Sequence, residues 1–452
     1  MNKTLIIISA SLILFFSGCS FNFSNRHNTI GRISSIPFGS KTILIPSDKE
    51  LDRDVRIIPD KYNTGVKAGT VLTPFYQDGN SHNINGVNIL HRRIVNKNGE
   101  VYFEFQIIGK ENLNLPSETI IENYDFSALK FTFQPGNVYN ENKTIIFRNC
   151  KFKNILNSGD NNPFYLVFEN CTFVGNVSET NIFMDHCYLG QHLSDAGNPL
   201  KNYIVKDCYV SDLVVDPLTN GEVHIDGFQS FGRKGIVGGP VLLDNVRFEI
   251  PAIHYENSNA GVNSSVMLQL QYGSIHHVYY MNLICNGGGK NFPIFLKDFP
   301  QYPACDVHMI NVSVSNNFGA IFYPIDYHTG ADVKNVEHNK TLYVSSVWKD
   351  SEGVHIICSN DTNIDKTLVV KTDKGDYSFD IPHCPSDFAL SGNNSKNHNN
   401  PNEVMSDKDG RPYKEYRFED MPFDLDCKIP VSSNVTSIEC YDGETRIRKV
   451  KF

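Results

Sequence analysis

Asn149-Cys150-Lys151-Phe152, Asn170-Cys171-Thr172-Phe173, His186-Cys187-Tyr188-Leu189 and Asp207-Cys208-Tyr209-Val210 spell one pattern four times in close succession. Each is a hydrogen-bonding residue, an apolar residue, an unconstrained position and a second apolar residue. Asn245-Val246-Arg247-Phe248, Asn282-Leu283-Ile284-Cys285 and Asn311-Val312-Ser313-Val314 continue it, and Asn123-Tyr124-Asp125-Phe126 begins it. In an extended chain successive side chains face opposite ways, so both apolar residues of a tetrad enter one core while the residue between them points out. A unit this short cannot bury its apolar face alone. Stacked at the ~4.8 Å spacing of neighbouring strands, many units share a dry interior. The cysteines then read as small hydrophobes in a stack rather than a chain of disulfides. Asn, Asp or His ahead of each strand suits a corner where side chains bond the neighbouring level.

The intervals between these corner residues are 26, 21, 16, 21, 38, 37 and 29. Short intervals leave only tight corners, and long ones leave room for loops inserted on one side. The interval of 16 is tight for three strands with turns and casts doubt on one early level. Helical periodicity with caps is nearly absent, which argues against a βαβ fold. Around a stacked body over 116–338, residues 48–115 carry short β-like runs with Asn85-Gly86 and Asn98-Gly99 turns and are expected to cap an open edge. Residues 340–384 alternate like antiparallel strands, 387–411 read as a disordered linker rich in Asn, Ser, Asp and Gly, and 413–452 as a terminal hairpin element.

The amino terminus reads as an export signal over residues 1–18: Lys3, an apolar run from Leu5 to Phe16, then small residues before Cys19. The run is shorter than the roughly 20 residues a spanning helix needs. Phe16-Ser17-Gly18-Cys19 resembles the lipobox of bacterial lipoproteins, with Cys19 the lipidated residue and Ser20 resembling the pattern that permits transfer to an outer membrane. Residues 19–47 are expected to be a tether, and the lipid the only membrane contact. Without Cys19 ten cysteines remain, an even number in a disulfide-permissive compartment, and Cys427 with Cys440 is the expected disulfide. The net charge of -9 argues against nucleic acid, which needs a clustered basic surface. It leaves open an acidic sugar, because only the local field in a cleft matters.

The stacked tetrads resemble the pectin-lyase-like superfamily, and the fold class this implies is all-β, a right-handed parallel β-helix. His224-Ile225-Asp226-Gly227-Phe228-Gln229 resembles a His-x-Asp-Gly-x-Gln signature of polysaccharide-acting members. The resemblance implies a carbohydrate-active exported protein whose polysaccharide lies in a groove along the outside of one sheet. The Asp-Asp pair with Gly-His-Gly of polygalacturonases and the Trp-Ile-Asp-His segment of the main pectate lyases are missing, so no catalytic residue is carried over from either.

On a strand His224 and Asp226 share a face with Ile225 turned inward, and Gly227 marks a bulge that would let Gln229 face out as well. By the same alternation Gln269, Gln271, Lys297 and Asp326 face out, Tyr323 is an adjacent substrate-binding candidate, and Gln229, Gln271, Lys297 and Asp326 form one outward column. Such amides and hydroxyls suit sugar recognition. A lyase needs a base for the proton alpha to a uronate carboxylate and cations to neutralise it. His224, His276 or Lys297 fit the first role, and Lys297, Arg247 or Arg233 the second. A hydrolase needs two carboxyl groups across the bond. Asp226 and Asp326 are the only candidates and stand about three levels apart, which favours elimination. A non-catalytic glycan-binding or capsule-associated role on the same groove is the alternative. No metal or cofactor is expected. Gly287-Gly288-Gly289-Lys290 lacks the strand-to-helix setting and the Ser or Thr of a phosphate loop.

Overall fold

The computed structural model describes residues 32–382 except 48–56, 76–79, 113, 136–141, 160–161, 191–193, 212, 214–223, 251, 256–260, 263, 288–293, 298, 300, 303–304, 316–321, 324–330, 339–341, 350 and 361–364, and then 405–406, 412–416 and 425–451. The expected signal segment, Cys19 and most of the expected linker lie outside these residues. Among the described residues the protein is nearly all strand, with no α-helix, and 24 strands belong to one large curled sheet.

That sheet is held by three parallel ladders. The first runs through Glu118–Glu122, Lys143–Arg148 and Phe164–Glu169, then the far half of Val177–Asp185, the middle of Gly197–Ser211 and the near half of Val241–Ile250. It ends in His276–Met281, Cys305–Ser315 and Ala331–His338. The second stacks the tetrads: Tyr124–Phe126, Lys151–Phe152, Thr172–Phe173, Tyr188–Leu189, then Cys208 to Ser211, Val246 to Ile250 and Ile284–Gly287. The third takes Val101–Ile108, Lys130–Gln134, Ile155–Asn157, the near halves of Val177–Asp185 and Gly197–Ser211, Phe228–Ser230, Val266–Gln269, Ile294–Lys297 and Phe322–Tyr323.

The corner residues explain the turn from first ladder to second. Asn123, Asn149, Asn170, His186, Asp207, Asn245 and Asn282 all have φ between 48° and 64°, the left-handed region. Ordinary L-residues avoid it because Cβ crowds the following carbonyl, whereas Asn and Asp enter it at low cost. The polar position of the tetrad is therefore chosen by backbone conformation. Side-chain bonds to neighbouring levels are a second benefit: Asn245 Nδ2 donates to Asp207 Oδ1 at 2.5 Å and Asn282 Nδ2 to Asp244 Oδ1 at 3.0 Å.

Inside, Cys150, Cys171, Cys187 and Cys208 are fully buried, with Cys187 N 3.3 Å from Cys208 Sγ and no S–S bond among them. Burial pushes the Cys171 and Cys208 thiols well up, as expected of inert core groups. The second apolar position stacks Phe126 on Phe152 and Phe152 on Phe173, with ring centres 5.3 and 5.6 Å apart. The 16-residue interval is real: Val177–Asp185 serves the third and first ladders in one continuous strand, turning at Glu179 and Asn181, so no loop is needed.

The outward side chains of the first ladder include Ile146, Val167, Phe183, Ile204, Leu242 and Tyr279, an apolar face that needs cover. The segment expected as a tether supplies it. Ser35–Phe38 and Lys41–Leu44 pair as a hairpin whose Ile36, Phe38 and Ile43, with Ile45, bury against that face. Residues 57–75 then run back along the corners. Asn245 Nδ2 donates to Ile57 O, Gly65 N to His186 O, Val66 N to Thr172 Oγ1 and Thr73 N to Asn123 O. Two antiparallel hairpins, His82–Ile84 with Val87–Val95 and Val87–Val95 with Val101–Ile108, lead into the third ladder.

At the carboxyl end, Leu342–Lys349, Val354–Asn360 and Leu425–Ile429 form one antiparallel sheet. Lys366–Thr372, Gly375–Ile381, Val435–Asp442 and Thr445–Lys451 form another around a shared core. The two expected terminal elements are thus interleaved. Met405–Ser406, inside the expected linker, pairs with Pro412–Tyr416, which adds to Ala252–Tyr255. The expected Cys427–Cys440 disulfide is not formed. Both residues are buried on different sheets, and Cys427 Sγ lies 3.7 Å from Cys358 Sγ because Leu425–Ile429 pairs with Val354–Asn360.

Replacing Asn170 tests the corner argument. Asn170→Val should lower the urea midpoint by an amount equivalent to about 1–2 kcal/mol, the left-handed cost of a side chain branched at Cβ, whereas Asn170→Gly should lose much less. Equal losses in the two variants would show that side-chain bonding, not φ, selects Asn.

Candidate functional site

The His-x-Asp-Gly-x-Gln segment straddles a corner into the third ladder. His224–Ile225 pairs with Gly261–Val262, and the His224 side chain lies outside the described residues. Ile225 and Phe228 both enter the core, and at Asp226 and Gly227 the chain leaves one strand and enters the next, so a corner stands where a bulge was expected. A Cβ on Gly227 would lie 2.2 Å from Ser265 O, so only glycine permits this approach. Asp226 and Gln229 do not face solvent as expected. Asp226 is 0% exposed and Gln229 7%. Asp226 Oδ2 accepts Gln229 Nε2 at 2.7 Å, Asp226 N donates to Asp195 Oδ1 at 2.9 Å, and Gln229 Nε2 also lies 3.3 Å from Met267 Sδ. The corner turns the carboxylate onto its own amide neighbour, a structural pair.

The expected column is also redrawn by register. Gln229 stands level with Met267, Phe295 and Tyr323, while Gln269 stands level with Lys297. Met267 is buried like Gln229, so this column is covered at those levels. The Tyr323 side chain and all of Asp326 lie outside the described residues. Arg247 belongs to the second ladder, opposite Tyr209 and Ile284. It is 2% exposed, ion-paired with Glu249, and its guanidinium sits 5.9 Å from the Tyr209 ring centre. It is a packed cation and does not reach solvent to neutralise a uronate carboxylate as expected.

What the third ladder presents is its other outward column, toward the first ladder. Gln269 and Lys297 are half-buried there, Gln269 Nε2 lies 3.2 Å from Gln271 Oε1, and Lys297 Nζ is 5.7 Å from the Phe299 ring centre. Beyond Gln271 the chain folds back, Tyr272 N donating to Phe231 O at 3.1 Å, and leaves Tyr272 exposed. Arg233, in the facing bend, forks onto Glu179, with Nη1 3.2 Å from Oε2. Sequence reasoning thus found Arg233, Gln269, Gln271 and Lys297 and missed Tyr272, Phe231 and Glu179. An aromatic residue directly before Gly273 was a usable signal for Tyr272. Nothing in the sequence marks Glu179.

A second polar cluster lies on the first ladder. Asp306 accepts Tyr279 OH at 2.6 Å and His308 Nε2 at 2.5 Å and also pairs with His277 Nδ1, while Ile33 N donates to Tyr279 OH at 3.0 Å. Burial alone would raise the Asp306 carboxyl, but hydrogen bonds from His308, Tyr279 and His277 outweigh it and bring it to about 2. His277 has φ 55°, in the left-handed region. Burial and the charge of His277 lower His276. This cluster supports the docked hairpin. Among the described residues one group has metal-ligand spacing, Asp185, His186 and Asp207, with ligand atoms within 4.8 Å of one another. His186 Nδ1 already bonds Asp185 at 2.8 Å and Asp207 accepts Asn245, so both are engaged in the corner ladder.

Comparison with protein-family models, with curated proteins and with solved structures finds no match.

The Asp306 cluster makes a pH prediction. A carboxyl whose folded value lies below its unfolded one contributes stability above about pH 4 that is lost as pH falls toward 2. Wild type and Asp306→Asn should therefore differ in urea midpoint at neutral pH and converge in that window. A difference unchanged from pH 7 to pH 2 would remove the ionised carboxylate from the hairpin's support.

Proposed function

We propose that the curled sheet is a right-handed parallel β-helix. We further propose that the chain is an exported lipoprotein of the bacterial envelope, anchored through Cys19, that binds an acidic polysaccharide along the third ladder. Support for the fold comes from the three parallel ladders and the repeated left-handed corners. Support for the ligand comes from one observation above the rest: Gln269 and Lys297 stand on successive levels of one outward column, beside Gln271, Tyr272 and Arg233. Levels about 4.8 Å apart match a polymer lying along the stack better than a compact ligand. Amides supply paired donors and acceptors for hydroxyls, and Lys297 carries the charge opposite to that of an acidic polymer.

Inserted segments favour the same place. The longest connections to and from the third ladder are those between Ser211 and Phe228, between Ser230 and Val241 and between Ile250 and Val266. Loops that frame a rigid sheet are the usual carriers of recognition. Burial of Asp226 and Arg247 takes away two expected members of a catalytic set, so binding is the better-supported reading. Elimination stays as the second reading because Lys297, a nominated base, lies on the accessible column.

Affinity gels containing polygalacturonate, alginate or hyaluronan test this. Wild type should be retarded by at least one, and Lys297→Ala should weaken binding about tenfold, or 1.4 kcal/mol, with added salt weakening wild type toward the variant. Absence of retardation in all three would sink the proposal. Ultraviolet absorbance of unsaturated products, abolished by Lys297→Ala, would establish the lyase instead.

A further inference from the structure

We infer that Tyr272 and Arg233 form a subsite for a single carboxylate-bearing sugar ring, the ring lying on the tyrosine face and its carboxylate taken by the guanidinium in place of Glu179. The inference rests on the glycan-binding reading and names the unit that reading leaves open.

Tyr272 is 53% exposed although nothing about a turn requires an aromatic residue there. It is not loosely held. Tyr272 N donates to Phe231 O, the Phe231 and Tyr272 ring centres are 6.1 Å apart, and Gly238 N donates to Ser274 O. The two bends touch backbone to backbone: a Cβ on Gly232 would lie 2.1 Å from Gly273 O, and one on Gly273 2.4 Å from Arg233 O. The glycines bring Tyr272 and Arg233 together on a fixed platform. An exposed, immobilised tyrosine offers a π face whose negative potential suits the C–H bonds of a sugar ring, and with two side-chain torsions it loses little freedom on contact.

Arg233 supplies the charge. Its planar fork matches a carboxylate, and here that carboxylate is Glu179. Glu179 has φ 87° at an irregularity in the pairing of Val177–Asp185 with Gly197–Ser211, a conformation a glutamate enters only under constraint. The pair is open to water on the arginine side, which is 45% exposed, so it holds weakly and exchanges readily. Glu179 thus occupies the fork as an internal stand-in for the carboxylate of an acidic sugar. Gln269 and Gln271 lie next along the chain to meet hydroxyls of the following unit.

The test compares polygalacturonate, alginate and hyaluronan with their carboxyl-reduced counterparts in affinity gels, using the full chain. Wild type should bind an acidic form more tightly than its reduced form. Tyr272→Ala should weaken both about tenfold, and Tyr272→Phe, which keeps the ring, should bind like wild type. Arg233→Gln should erase the preference for the acidic form, and Glu179→Gln should strengthen binding of the acidic form by removing its competitor. Thermal melts of the four variants check that each is folded. If wild type binds but Tyr272→Ala binds equally well, or Arg233→Gln keeps the preference, the subsite falls while glycan binding stands. If wild type binds no polymer, both fall.

Discussion

At seven successive levels, from Asn123 to Asn282, this protein passes from the first ladder to the second through a left-handed residue, and that backbone constraint organises the rest. An L-residue with a branched or bulky side chain resists the turn. Where Asn, Asp or His accepts it, the next residue is delivered into the interior and the one after it outward. Repetition of the same corner keeps successive levels in register, so that cysteine lies over cysteine and phenylalanine over phenylalanine. The interior is dry because the corner never shifts by one residue; a shift of one would reverse every side chain beyond it.

That constraint is local, and for this reason it is legible in the sequence. Corner residue, apolar residue and alternation all fall within four positions, and the eight tetrads place the second ladder without further information. The outer surfaces are not local. Ile146, Val167 and Phe183 face outward on the first ladder, yet they are buried because Ile36, Phe38 and Ile43 from more than a hundred residues earlier cover them. The hairpin looked like a tether because its Ser and Gly content resembles one, and its few apolar residues gain meaning only from the face they meet.

The same distinction explains the site. Alternation with a break at Gly227 separates Ile225 and Phe228 from their polar neighbours, but whether Asp226 or Gln229 reaches water depends on what packs over them. Arg247 was misplaced by treating all outward cations as neighbours, when three ladders send their outer side chains in different directions. Cys427 was misassigned because strand order at the carboxyl end departs from chain order. Register, not residue type, decides these cases. The proposed strip comprises half-buried Gln269 and Lys297, exposed Tyr272 and the Arg233–Glu179 pair.

Residues 57–75 travel along the corners against the direction in which the levels are numbered, meeting the Asn245 level first and the Asn123 level last. The contact between Ile57 and Asn245 spans 188 residues. An early part of the polypeptide therefore waits for binding positions that are made only when much later parts have come together. Contacts of such long sequence separation carry a large closure entropy and slow the approach to the native state. Synthesis from the amino terminus can yield a partly assembled body whose outermost band attaches afterwards, like a seam sewn once the cloth has been folded.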